Sequence, residues 1–249
     1  RININDQALD VLFKATRNPR TADVVIPAHR SYVDFLVLSY LMSTLGFAPP
    51  HICAGDDFLR LGKIADLMRG SGAFFMRRSF RGDRLYSGLF KEYVRHLARD
   101  AQTIEFFIEG LRSRTQKTIA PKLGILKMIT DAFFEKQEEI DDVLFIPIGL
   151  SYERLLEANI YADELMGIPK PKETVANLLK SSSILKDNYG ALNIHFGEPI
   201  SLAEYSKNPF LAPDGYESLD KSEQQQATVD GHGDSLRENS VQRRVGAYG

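Results

Sequence analysis

Six short apolar runs, "DVVIP", "HICA", "AFFM", "TIEFFI", "VLFIPIGLS" and "ALNIHFG", alternate along this chain with amphipathic stretches. That alternation is what most constrains the fold, because strands separated by helical segments pair in parallel and need helices on both faces of the sheet. The expectation is an α/β fold, with a mostly parallel central sheet flanked by helices and a polar C-terminal tail. Residues 83–99 place Tyr86, Leu89, Phe90, Tyr93 and Leu97 on one stripe and Lys91, Glu92, Arg95 and Arg99 largely opposite, which predicts a helix packed on the sheet. Further helices are expected over 57–69, despite Gly62, and over 122–136. At 249 residues, 43% hydrophobic, the chain suits one substantial core over 1–205 and a tail over 206–249 rich in Ser, Gln and Gly that is expected to be disordered. No internal repeat is apparent.

The run "IPAHRSYVDF" places His29 and Asp34 five positions apart after an apolar stretch. On a helix such residues stand about 140° apart, and on a strand they face opposite ways, so they meet only where the chain turns. Pro27 discourages continuation of the strand, and Ser31 is a good helix N-cap before "YVDFLVLSYLM". Two readings stand side by side. "SYVD" has the form of a capping box, with His29 an ordinary loop residue, or His29 and Asp34 form a proton-transfer pair.

Three other stretches end apolar runs in chemistry-bearing residues. "SGAFFMRRSFRGDR" supplies Arg77 and Arg78, then Arg81 and Arg84, where open α/β sheets bind ligands. "FFIEGLRSR" supplies Glu109, Gly110, Arg112 and Arg114, a carboxylate, a glycine that admits close approach, and two forked cations suited to phosphate. Each also has a bland reading: solvated basic edges, or Glu109 paired with its own arginines. "LFIPIGLSYE" puts Pro147 inside a strand, which suggests a strand end, edge or bulge.

Other classes fail on inspection. "GDDFLRLGKI" lacks the glycine and hydroxyl spacing of a phosphate loop, "GSGAFF" lacks the third glycine of a dinucleotide fingerprint, and neither GxSxG nor HExxH occurs. Cys53 is the only cysteine, which excludes an internal disulfide and a thiolate-rich metal site. The net charge of −2 implies no global attraction to nucleic acid, and the arginines end strands rather than line a basic face. Residues 35–50 are too short and too interrupted by Ser and Thr for a transmembrane helix of about 20 residues, which favours a buried helix, with peripheral membrane attachment the other reading. The first residue is Arg1 and no targeting leader follows, so a fragment or processed piece is expected.

In order, His-x4-Asp, "GAFFMRR", "FIEGLRSR" and "IPI" resemble the four blocks of the glycerolipid acyltransferase family, whose members acylate glycerol 3-phosphate, dihydroxyacetone phosphate and lysophosphatidate. The resemblance spans about residues 24–205, and "AHRSYVDFLVLSY", "SGAFFMRRSF" and "GIPKPKE" look closest to its dihydroxyacetone phosphate branch. It implies that His29 is the general base, Asp34 its orienting partner, and that Arg78, Arg112 and Arg114, with Arg77, hold the acceptor's phosphate. It also implies that Glu109 and Gly110 shape the acceptor site and that Pro147 belongs to the acyl-donor block. The implied partners are acyl-CoA, as a substrate rather than a cofactor, a phosphorylated three-carbon acceptor, a membrane surface and, by family, alkyl-dihydroxyacetone phosphate synthase. The implied location is the peroxisomal membrane, peripherally, with the endoplasmic reticulum or mitochondrial membrane as alternatives. Leu111 departs from the family, which usually has a small residue or threonine there. Glycerol 3-phosphate is the alternative acceptor, and a catalytically silent lipid- or phosphate-binding module the alternative from another class.

Overall fold

The computed structural model describes residues 1–5, 9, 18–80, 82–135, 140–167 and 188–207. Arg81, most of "GIPKPKE" and the tail from 208 onward lie outside the described residues. The chain divides into units 1–203 and 204–249, and the sheet belongs to the first.

All six expected strands are present: β2 (Thr21–Pro27), β3 (His51–Gly55), β4 (Ala73–Met76), β5 (Ile104–Glu105), β6 (Asp142–Tyr152) and β7 (Leu192–Phe196). Two short strands, β1 (Ile2–Ile4) and β8 (Ile200–Ser201), join them. The sheet order is β1-β7-β6-β2-β5-β3-β4, with β8 beside β6. Pairing is parallel from β6 through β2, β5 and β3 to β4 and between β1 and β7; β6 meets β7 and β8 antiparallel. The sheet is therefore mostly parallel, and β2, β3, β4 and β5 deliver their C-terminal ends to one rim.

Both faces are covered, as burial of successive β2 residues requires. Val24 packs with Ile104, Phe106, Val143 and Phe145 under helices α3 (Arg84–Arg99) and α4 (Gly124–Glu135). Val25 faces the other way, with Ile146, Ile148 and Ile194 under α1 (Asp34–Thr44).

Several local expectations are corrected. The stretch 57–69 is not one helix: a 3₁₀ turn, Asp56–Leu61, stops at Gly62, whose φ of +54° is left-handed, and α2 (Lys63–Gly70) restarts beyond it. On α3 the buried stripe is Phe90, Val94, Leu97 and Ala98, while Leu89 is exposed and Tyr93 largely so. A spacing of 4, 3 and 1 keeps that stripe within one face at 100° per residue, and Leu89 falls on its flank. "TIEFFI" is strand only at Ile104 and Glu105, after which the chain leaves the sheet toward Glu109.

Pro147 is not at a strand end or an outer edge, since β6 runs unbroken through it and its register partner on β2 is Ile26; on its other side the register slips by one residue between the pairs Ile148–Phe196 and Phe145–Ile200, so it faces a bulge. Its carbonyl accepts from Gly197 N–H at 2.8 Å, so its amide position also points away from β2, into the step where β7 has ended and β8 has not begun. No ladder donor is missing on the β2 side, which is why an interior strand tolerates the ring.

Candidate active site

Ser31 is not the helix N-cap. Helix α1 begins at Asp34, and its cap residue Val33 makes no side-chain cap bond. One half of the expected capping box forms, since the Asp34 carboxylate reaches back to Ser31 N–H at 2.8 Å. The Ser31 hydroxyl instead donates to Glu157 Oε2 at 2.8 Å and accepts from Val33 N–H at 3.3 Å.

The turn between β2 and α1 brings His29 and Asp34 together, Nδ1 to Oδ2, at 2.9 Å. Asp34 is fully buried. Its Oδ2 also accepts from Arg30 N–H at 2.7 Å, and its Oδ1 accepts from the Tyr152 hydroxyl at 2.5 Å. Burial, helped by the adjacent Asp34 charge, pushes the Tyr152 phenol well above its usual range, so it stays a donor. The His29 ring stacks on Phe107, centroids 3.9 Å apart, which leaves the imidazole little freedom to rotate. With Nδ1 held by a carboxylate, Nε2 is the ring nitrogen left to accept a proton.

Glu109, almost fully buried, sits beneath this turn. Its Oε1 accepts from His29 N–H at 3.2 Å and from Arg30 Nη1 at 3.5 Å, and its Oε2 from Ile119 N–H at 3.1 Å. Glu157 completes the set by accepting from Tyr32 N–H at 2.6 Å. Five successive amides, His29 to Val33, thus donate to side chains rather than to a strand or helix. The turn is fixed as firmly as regular structure would fix it.

Gly110 follows in the left-handed region at φ +64°, and a Cβ there would lie 2.8 Å from the Lys122 side chain. Arg112 stacks on the Tyr32 ring at 3.2 Å and donates to the Tyr161 hydroxyl at 3.0 Å. Arg114 and Leu111 are both exposed, so Leu111 does not fill the inside of the loop. Pro147 lines a largely apolar pocket of about 400 Å³ with Pro27, Ile108, Glu109 and Ile119, on the flank of the His29 turn.

Arg77 and Arg78 stand apart from this cluster. They follow β4, three strands and so about 14 Å across the rim from β2. Arg77 donates to Asp83 Oδ2 at 2.7 Å, and Arg78 Nε donates to Asp57 Oδ2 at 2.6 Å. The structure therefore joins His29, Asp34 and Glu109 directly, places Gly110, Arg112 and Pro147 around them, and leaves Arg77 and Arg78 at the far strand end.

Sequence reasoning missed Arg30, Tyr152, Glu157 and Tyr161. Nothing near His29 in the chain announces the last three, which arrive from 118 or more residues away. Burial pushes the Cys53 thiol up to about 12, so it offers no thiolate near neutrality. Among the described residues no group of three or more His, Cys, Asp or Glu is placed to hold a metal ion, and no helix is long and apolar enough to cross a membrane.

The family model described as Acyltransferase matches residues 11–151, and that described as Glycerol-3-phosphate acyltransferase C-terminal region matches 161–239. Dihydroxyacetone phosphate acyltransferase of Oryctolagus cuniculus is 40% identical over 235 residues, covering 92% of this chain and 34% of the relative. The Homo sapiens protein of the same name is 42% identical over 203 residues, covering 81% and 29%. Glycerol-3-phosphate acyltransferase of Xanthomonas campestris pv. campestris is 47% identical over 180 residues, covering 72% and 20%. A crystal structure of the 1-acyl-sn-glycerophosphate acyltransferase from Thermotoga maritima aligns at TM-score 0.47 and 14% identity, covering 93% of this chain and 74% of that one. The chain spans about a third or less of the length of the curated relatives it matches. With over half its residues matched by the Acyltransferase model, the chain belongs to the acyltransferase family, in the group that includes glycerol-3-phosphate and dihydroxyacetone phosphate acyltransferases.

Proposed function

We propose that this chain transfers an acyl group from acyl-CoA to the primary hydroxyl of dihydroxyacetone phosphate, giving 1-acyl-dihydroxyacetone phosphate for ether lipid synthesis. The observation that carries the reading is the His29–Asp34 pair, held by a buried carboxylate with four donors. His29 Nε2 takes the proton of the acceptor hydroxyl as its oxygen attacks the thioester carbon. The new C–O bond forms, the C–S bond breaks, and the departing thiolate recovers the proton from the imidazolium. Asp34 stabilises that imidazolium and holds the tautomer, so no acyl-enzyme is needed.

The acceptor's phosphate falls to the arginine set Arg77, Arg78, Arg112 and Arg114 at the same rim. Arg112 is the member joined to the His29 turn, through Tyr161 and the Arg30 carbonyl. Glu109 and Gly110 shape the floor beside it, and the apolar pocket at Pro147 receives the start of the acyl chain. On this reading the work is done at the peroxisomal membrane surface, beside alkyl-dihydroxyacetone phosphate synthase.

The second acceptor is glycerol 3-phosphate, favoured by the 47% identity to the Xanthomonas relative. Full-length protein is assayed for thiol release from palmitoyl-CoA with each acceptor. Higher kcat/KM for dihydroxyacetone phosphate supports the proposal, and the reverse order reassigns the acceptor. Binding of acyl-CoA without thiol release with either acceptor makes the chain a binding module.

A further inference from the structure

Glu157 immediately precedes α5 (Ala158–Leu165) and Tyr161 lies in its first turns, with Tyr161 N–H donating to the Glu157 carbonyl at 2.9 Å, a four-residue step that puts both on one face. Both are over nine-tenths buried. Between them runs the Arg112 side chain, with Nη1 3.0 Å from the Tyr161 hydroxyl and 3.7 Å from Glu157 Oε1, and with its plane on the Tyr32 ring. The same two residues also grip the His29 turn. Glu157 accepts from Tyr32 N–H, and the Tyr161 hydroxyl donates to the Arg30 carbonyl at 3.2 Å. A guanidinium is a rigid fork, so fixing one nitrogen and the ring plane fixes the direction of every other N–H.

We propose that Glu157 and Tyr161 are positioning residues that aim Arg112 at the acceptor's phosphate and tie its direction to the turn bearing His29. This rests on the acyl-transfer reading. Neither residue touches the reacting atoms. Their effect is on selection of a phosphorylated over a non-phosphorylated acceptor. Burial pushes the Tyr161 phenol up, with the Arg112 charge opposing, so the hydroxyl remains available as a donor to Arg30.

The test uses full-length Tyr161→Phe, which deletes one hydroxyl and keeps the ring, with Glu157→Gln as a second variant. The readout is the ratio of kcat/KM for dihydroxyacetone phosphate to that for dihydroxyacetone. We expect that ratio to fall about tenfold in each variant, the size of one hydrogen bond to a charged group. In an Arg112→Ala background, Tyr161→Phe should change it no further. A general loss of packing would lower both rates and leave the ratio unchanged, which overturns the proposal, as does an equal effect of Tyr161→Phe in the Arg112→Ala background. If the parent protein transfers no acyl group, the functional reading fails separately. Calorimetric binding of inorganic phosphate then decides this one: about tenfold weaker binding by Tyr161→Phe sustains it, and unchanged binding overturns it.

Discussion

The ends of β2 and β4 carry the same chemical groups, arginines facing carboxylates, under opposite conditions. At β2 the side chains of Arg30 and Arg112 are 11% and 12% exposed, against Glu109 and Glu157 at 3% each. At β4, Arg77 and Arg78 are 52% and 64% exposed, against Asp83 and Asp57 at 45% and 40%. Burial makes the difference. A buried carboxylate must be satisfied by fixed donors, and here those donors are the backbone of the turn itself, so the charges build the geometry. An exposed pair is solvated whether it forms or not and can exchange its partner for an incoming anion at little cost. One strand end is preorganised, the other is available.

The largest expected effect is at the preorganised end. His29→Ala should lower acyl transfer by at least about a thousandfold, read as thiol release, while circular dichroism and the unfolding midpoint stay close to the parent's. Near-normal turnover would remove His29 from the reaction. Asp34→Asn should cost activity about a hundredfold or more through the wrong histidine tautomer. It should also lower stability by about 2–4 kcal/mol in urea unfolding, because an amide cannot accept from every donor that now converges on the carboxylate. Loss of activity with stability unchanged would show that those bonds do not hold the turn.

A third expectation concerns pH. Burial raises Glu105 to about 8, and neither of its oxygens has a hydrogen-bond partner among the described residues. Its unfolded value is the ordinary 4.5, so between about 4.5 and 8 the folded state holds a proton that the unfolded state has lost. Stability therefore falls as pH rises through that window. Asp23, raised by burial from 3.8 to about 6, acts in the same direction between those two values. Glu105→Gln should flatten the profile of urea midpoint against pH across 5 to 8, and an unaltered slope would rule Glu105 out as its source. The smallest effect is expected at β4. Asp57→Asn should change stability by less than about 1 kcal/mol, since its ion pair with Arg78 is exposed. Arg78→Ala should leave stability as little changed but raise KM for the phosphorylated acceptor. An unchanged KM would separate the β4 end from the site altogether.

What the sequence reveals divides along similar lines. Period-two and period-3.6 patterns are local, so six strands and the helices at 84–99 and 124–135 can be read from them. Three-residue β1 and two-residue β8 are too short to show a period. His29, Asp34 and Glu109 are legible because each follows an apolar run. Tyr152 and Tyr161 are not, because a tyrosine in "LSYE" or "NIYA" reads as ordinary packing until the fold lays it against residues 30–34. Pro147 points to an irregular pairing but not to its place: whether a missing amide matters depends on what stands beside the strand, and that neighbour lies 50 residues on, at Gly197.

The run of five amides from His29 to Val33 has one more consequence. Loops usually exchange their amide hydrogens with solvent quickly, since opening them costs little. Here every one of those hydrogens is engaged by a side chain that arrives from outside or across the turn. In deuterium exchange this irregular segment should therefore behave like a strand of the sheet, its protection tracking the loss of the whole α1–β2 unit rather than local fraying.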